Sequence, residues 1–188
     1  MKKFFVPALS TLALAACGSN ETAPSGDGSV VATDDNAMEL PVASPAASGD
    51  QAFANAAAAS DAFEIETSRL ALEKSSSAEI KRYAKAMIDA HTKSTADLKS
   101  AGSSAAQPIT PNPALTAEQQ ATVDRLRSAT GKAFDQAYVQ AQTTGHEKTL
   151  ATLRDYAANG DVTELKQFGT TTASSVAAHL IKARALNA

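Results

Sequence analysis

From Gln51 onward the chain carries apolar residues at intervals of three and four, the spacing of helices that bury one face. Four long segments share this pattern. Their apolar positions include Phe53, Phe63 and Ala71; Ile80, Tyr83, Met87 and Leu98; Phe134, Tyr138, Leu150 and Leu153; and Leu165, Phe168, Val176 and Leu186. No segment alternates apolar and polar residues as a half-buried strand would. The pattern predicts an all-α protein.

Turn and cap residues divide the helical part. Both Ser76-Ser77-Ala78-Glu79 and Thr116-Ala117-Glu118-Gln119 have the form of a capping box, and Asp161 to Glu164 follow the stop signal Asn159-Gly160. Three prolines interrupt the pattern before Thr116, and Gly131 is expected to separate a short helix from a long one over 132–158. We therefore predict an antiparallel four-helix bundle over 51–188, with an extra short helix between the second and third long helices.

The first residues have the form of an export signal. Lys2 and Lys3 precede an apolar run to Ala16, which is shorter than the roughly 20 residues that span a bilayer. The following Leu14-Ala15-Ala16-Cys17-Gly18 resembles the bacterial lipobox, and Cys17 is the single cysteine of the chain. We predict that residues 1–16 are a signal peptide that is removed, and that lipidated Cys17 anchors the protein to a membrane.

Composition bounds the location and the partners. Residues 17–50 are rich in Ser, Gly, Ala, Asp and Pro, which predicts a disordered tether. Gly18 and Ser19 do not form an inner-membrane retention signal, which favours the outer membrane, facing the periplasm. The net charge is −3, so no basic surface for nucleic acid is expected. Protein partners are not indicated.

Several segments together resemble the bacterial exported family called domain of unknown function 4142. They are Phe63 to Glu66, Leu70 to Leu72, Met87 to Thr92, Ala133 to Tyr138, Gly145 to Glu147 and Ala178 to Leu180. The resemblance implies a ferritin-like four-helix bundle, an exported or lipid-anchored setting and no established activity. The family usually has an acid directly before the first histidine, whereas this chain has Ala90 there and Asp89 before it.

The chain has three histidines, His91, His146 and His179, on the apolar stripes of three different helices. Glu64 lies on the remaining long helix, at the edge of its stripe. If both short turns lay at one end of the bundle, a rise of 1.5 Å per residue would place the four side chains within about two helical turns of one level.

Three interpretations of these histidines are open, because an unpaired buried polar group costs a few kcal/mol. One zinc, copper or iron ion could be bound by His91, His146 and His179 with Glu64. A hydrogen-bonded network with Glu64, tyrosines or backbone could satisfy the rings, or one ring could reach solvent. A pH sensor is a weaker alternative.

Catalytic signatures do not emerge from the sequence. A di-iron centre would use Glu-x-x-His on two helices, but Ile88, Thr143 and Val176 stand three residues before the histidines. No phosphate-binding loop, nucleophile elbow or Cys/His pair is found. The function that we predict is therefore a non-enzymatic envelope lipoprotein that displays a helical bundle for binding or support; the alternative is a metal-binding or redox-linked protein.

Overall fold

The computed structural model of the chain describes residues 49–188. They form five helices, α1 (Gly49–Lys74), α2 (Ala78–Ser104), α3 (Ala117–Ser128), α4 (Gly131–Asn159) and α5 (Thr163–Arg184). This range contains no strand, and none of its helices is long and apolar enough to cross a membrane. The all-α prediction is confirmed, including the short helix between the second and third long ones. The predicted signal peptide, Cys17 and nearly all of the tether lie outside the described residues.

Helix α1 begins at Gly49, two residues before the predicted boundary. The reason is a tertiary contact at the helix start. The Tyr156 hydroxyl on α4 donates to Oδ1 of Asp50 at 2.5 Å, and the Tyr156 ring stacks on Phe53 with centroids 3.8 Å apart. These contacts hold the first turn of α1 against the end of α4.

The ends of the connecting helix follow the sequence signals. Thr116 caps α3, and its side chain accepts from the backbone N–H of Gln119 while the Gln119 side chain accepts from the Thr116 N–H. The predicted capping box is therefore confirmed. Helix α4 begins at Gly131, which has a φ of 55°, a left-handed conformation that glycine adopts readily.

Two other predicted caps are wrong in detail. The N-cap of α2 is Ser77 rather than Ser76, so Glu79 is the second helical residue and cannot complete a capping box with it. The N-cap of α5 is Val162, without a side-chain cap, so Asp161 lies one residue too early to cap the helix. In both cases the turn places the helix start one residue later than the sequence signal.

The buried apolar side chains form two separate clusters. The first includes Phe53 and Ala57 of α1, Leu98 of α2, Leu153 and Tyr156 of α4, and Leu165 and Phe168 of α5. The second includes Ala71 of α1, Ile80 and Met87 of α2, Val123 and Leu126 of α3, Phe134 and Tyr138 of α4, and Ala183 of α5. The start of α1 thus shares a cluster with the end of α2 and the end of α4, so α1 runs opposite to both of these helices.

The same cluster membership shows where the turns lie. Helix α1 contacts α2 and α4, and α5 also contacts both of these helices. The α1–α2 turn adjoins the second cluster, whereas the α4–α5 turn adjoins the first. The expectation that both turns share one end is therefore wrong. Residues 105–130 cross the length of the bundle, with α3 packed on α1 and α4, and one long crossover is a feature of ferritin-like bundles.

The bond between Asp50 and Tyr156 gives a test of the early helix start. We expect Tyr156→Phe to lower the free energy of unfolding by about 1 kcal/mol, because the hydroxyl is lost while the ring that stacks on Phe53 is kept. Urea denaturation monitored by circular dichroism measures this change. Asp50→Ala, which removes the acceptor, should also be destabilising, and the two losses should not add. Additive losses would show that the two side chains do not interact.

Candidate metal centre

The three histidine rings meet at one level of the bundle. The ring centroids of His91, His146 and His179 are 5.6 to 5.7 Å apart in every pair. One nitrogen of each ring lies within 4.8 Å of the nitrogens of the others. The prediction that these residues share one level is confirmed, although its premise about the turns was wrong. His91 and His146 lie near the middle of α2 and α4, so their levels hardly depend on which end is counted from, whereas His179 lies in the last third of α5.

This level separates the two apolar clusters. Asp61 in α1, His91 in α2, and Gln142 and His146 in α4 stand in the sequence between residues of one cluster and residues of the other. Glu64 in α1 and His179 in α5 lie at the edge of this boundary, each next to a residue of one cluster. The bundle therefore has a polar layer between two apolar layers. We call these six residues the polar layer.

His91 is held by a carboxylate from α1. Its Nδ1 lies 2.8 Å from Oδ1 of Asp61, and both side chains are buried. The other oxygen of Asp61 accepts from the hydroxyl of Thr95 at 3.3 Å. A carboxylate on one ring nitrogen fixes the orientation of the ring and directs the other nitrogen, Nε2, away from α1.

His146 is held by its own helix. Its Nδ1 donates to the backbone carbonyl of Gln142 at 2.8 Å. Oε1 of Glu64 lies 3.4 Å from the same nitrogen. Both His146 and Glu64 are about 1% exposed, so this arrangement is closed to solvent. The tautomer with hydrogen on Nδ1 leaves Nε2 with a lone pair.

His179 is the least restrained of the three. It is only partly buried, whereas the other two are buried. Its Nδ1 is buried and has no hydrogen-bond partner. No hydrogen bond from its ring to any described residue is present either, so nothing in residues 49–188 fixes its tautomer.

The three inward nitrogens share one chemical property. Nε2 of His91, Nε2 of His146 and Nδ1 of His179 are buried and have no hydrogen-bond partner among the described residues. Buried polar atoms without a partner cost free energy, and a bound ion is one way to satisfy all three at once. The hydrogen-bonded network considered from the sequence does not satisfy these atoms.

The electrostatics of the layer favour one charged ring at most. Burial and the charge of His91 lower the pKa of His146 to about 3. Burial, His91 and Lys182 lower the pKa of His179 to about 4. Burial also lowers the pKa of His91, but the hydrogen bond with Asp61 and the charge of Glu64 outweigh it, and the net shift is upward. His146 and His179 are thus in the neutral form that metal ions require, whereas His91 has to lose any bound proton before its Nε2 can bind an ion.

Glu64 is buried rather than at the edge of its stripe, and it does not join the triangle of nitrogens. Its carboxyl group approaches Nδ1 of His146, the nitrogen turned away from the centre. Burial raises its pKa to about 7, although the charge of His91 acts in the opposite direction. Gly145 makes room for it, because a Cβ at Gly145 would lie 2.9 Å from Oε1 of Glu64. The geometry places Glu64 behind a candidate ligand.

Sequence reasoning missed two residues of the layer. Asp61 lies three residues before Glu64 on α1, and one acid a turn before another on an apolar stripe was an available signal. The backbone carbonyl of Gln142 leaves no sequence signal. Asp89, the acid two residues before His91 in the sequence, is exposed and lies 3.7 Å from Lys85. The carboxylate that hydrogen-bonds to His91 comes from another helix, α1.

The buried tyrosines belong to a neighbouring polar group. The Tyr138 hydroxyl lies 3.0 Å from the hydroxyl of Ser68, and the Tyr83 hydroxyl is buried without a partner among the described residues. The two rings meet edge to face with centroids 6.4 Å apart. No hydrogen bond joins either tyrosine to a histidine in the described part of the chain, so the tyrosines do not satisfy the inward nitrogens.

A groove of about 510 Å³ lies between α1, α3 and α4. Its lining includes small side chains such as Ala56 and Ala141. It also includes Lys148 and Glu118, which form an ion pair. None of the three histidines lines the groove. Gly145 lines it and lies next to Glu64, so one backbone segment separates the groove from the polar layer.

The family model described as Domain of unknown function (DUF4142) matches residues 37–186. The chain belongs to the DUF4142 family. The resemblance inferred from the sequence segments is thereby confirmed. No curated protein and no solved structure gives a significant match to this DUF4142 chain.

The buried carboxyl group of Glu64 makes the metal-free protein sensitive to pH. Its pKa is raised from an ordinary 4.5 to about 7, so the folded protein holds this proton more tightly than the unfolded chain. The stabilisation is complete below pH 4.5 and is lost as the pH rises through 7. At pH 8, Glu64→Gln should raise the free energy of unfolding by up to about 3 kcal/mol, and by less at pH 5.

Denaturant titrations of the metal-free protein at the two pH values measure this difference. Glu73→Gln is the matched control, because Glu73 is an exposed acid of the same helix. Equal effects of the two substitutions at pH 8 would contradict the assigned pKa shift of Glu64.

Proposed function

We propose that this DUF4142 protein binds one divalent transition-metal ion at His91, His146 and His179, in a bundle tethered to the bacterial envelope through Cys17. The observation that carries the proposal is the convergence of three unpartnered, buried ring nitrogens from α2, α4 and α5. Neutral imidazoles are good ligands for zinc, copper and iron. We favour metal binding over display of a bundle alone, because display does not explain why three buried nitrogens without hydrogen-bond partners converge.

The spacing of the nitrogens fits an ion after a small contraction. Zinc binds imidazole nitrogens at about 2.0 to 2.1 Å, which sets them roughly 3.4 Å from one another. The nitrogens lie within 4.8 Å of one another, so each would move by less than about 1 Å. His179 has the most freedom to make this movement, because no hydrogen bond within 49–188 restrains its ring.

The two carboxyl groups of α1 can balance the double positive charge of a divalent ion. Asp61 and Glu64 are both buried, one next to each of the two buried histidines. A divalent ion with neutral imidazoles and these two carboxylates gives a layer without net charge, which lowers the cost of burial. Hydrogen bonds from ligand histidines to carboxylates also orient the rings and increase their basicity.

The envelope setting rests on the sequence signals alone. The signal-like residues 1–16, the lipobox-like segment and Cys17 support export and lipid anchoring, and Gly18 and Ser19 favour the outer membrane. A tethered bundle with a metal site would hold an ion close to a membrane surface. The proposed role is to bind this ion; the layer lacks the paired Glu-x-x-His motifs of di-iron oxidation.

The first test is metal binding by the full-length chain with Cys17→Ser, which prevents lipidation and removes the only thiol. We expect about one equivalent of zinc by isothermal titration, with a melting temperature that rises with zinc concentration because only the folded state has the site. Each single His→Ala change should weaken binding by at least about 100-fold. Absence of stoichiometric binding, with an unchanged melting curve, would leave the displayed bundle as the function.

Asp61 and Asp89 provide a matched pair of carboxylates. Asp61→Asn should lower zinc affinity by about 10-fold to 100-fold, because the orientation and basicity of the His91 ring depend on this carboxylate. Asp89→Asn should leave the affinity unchanged, since Asp89 is exposed next to Lys85. Competition with a chromophoric chelator measures both values. Equal affinities for the two variants would exclude the carboxylate as a support of the site.

A further inference from the structure

We infer that the fourth coordination position of the ion is open and takes a small exogenous anion, which reaches it beside His179 and is drawn there by Lys182. This inference rests on the proposed metal site and assigns the class of ligand that the site exchanges.

The described protein residues supply three ligands. One nitrogen from each histidine forms the only group of ligand atoms found close enough for an ion among residues 49–188. Glu64 is the nearest further candidate, but its carboxyl group faces Nδ1 of His146 rather than the centre. Sites with three protein ligands keep a fourth position for water or another exchangeable molecule, whereas structural sites are closed by four.

The route of access is on the α5 side. His91 and His146 are buried, and each has its Nδ1 tied to Asp61 or to the Gln142 carbonyl. His179 is partly exposed and has no such tie within the described helices. A small molecule from solvent therefore reaches the centre past His179, which is the only partly exposed ring of the three.

The charge beside this route is positive. Lys182 follows His179 by three residues on α5, which puts the two side chains on neighbouring positions of one helix face. Lys182 is exposed and has no ion pair with a described residue, whereas Arg184 nearby is paired with Glu147. The charge of Lys182 also contributes to the lowered pKa of His179. An anion is therefore attracted to the position that the ion leaves open.

The test uses Co²⁺ bound to the full-length Cys17→Ser chain, with azide as the anion. Co²⁺ bound at three imidazoles and one water has visible absorption bands that change when azide replaces the water. We expect a saturable spectral change, and we expect Lys182→Gln to weaken azide binding roughly threefold to fivefold with little effect on Co²⁺ affinity. Lys182→Arg should bind azide as the unchanged chain does, and Lys132→Gln, which removes an exposed lysine at the start of α4, is the control.

The outcomes separate the inference from the metal site. If Co²⁺ binds and azide leaves the spectrum unchanged, the open position is excluded while the metal site stands. If azide changes the Co²⁺ spectrum of Glu64→Gln but not that of the chain with Glu64, Glu64 is the fourth ligand and the inference is wrong. Equal azide affinities for Lys182→Gln and Lys132→Gln would remove the role of Lys182. If Co²⁺ and zinc both fail to bind, the proposed function itself falls.

Discussion

The bundle is organised around a polar layer that its helices enclose midway along their length. Burying carboxyl and imidazole groups is costly unless each finds a partner, and here neighbouring helices supply partners for only some of these groups, while the three inward nitrogens have none among the described residues. Asp61 of α1 serves His91 of α2, and Glu64 of α1 stands next to His146 of α4. The two apolar clusters on either side keep water from the layer. The ring orientations and the pKa shifts depend on this enclosure.

The order of the helices around the bundle explains why the layer is asymmetric. Helix α1 contacts α2 and α4, and α5 contacts the same two helices, which puts α5 across from α1. The two acids of α1 therefore reach the histidines of its neighbours but do not support His179. That ring is left without a hydrogen bond to the described residues and with partial exposure. Two rings restrained by hydrogen bonds, His91 and His146, and one partly exposed ring, His179, suit an ion that a ligand from solvent reaches on the α5 side.

The sequence and the structure agree where local chemistry decides. The apolar spacing of Ile80, Tyr83 and Met87 predicted the buried face of α2, and the Thr116 capping box predicted the start of α3. The structure departs from the sequence prediction where a tertiary contact or the conformation of a turn moves the start of a helix. Tyr156 extends α1 back to Gly49 through Asp50, and the turn before α2 makes Ser77 the cap in place of Ser76.

By itself the sequence determined the helices and the family segments, because helical periodicity is a property of the chain alone. The common level of the three histidines was predicted on a wrong assumption about the turns, so their meeting in space depends on the tertiary structure. Only the tertiary structure decided which end each turn occupies, since the crossover over 105–130 is long enough to span the bundle or to fold back. It also decided that Asp61 rather than Asp89 serves His91. Pairing between helices depends on their neighbours and rotation, which residue spacing within one helix does not contain.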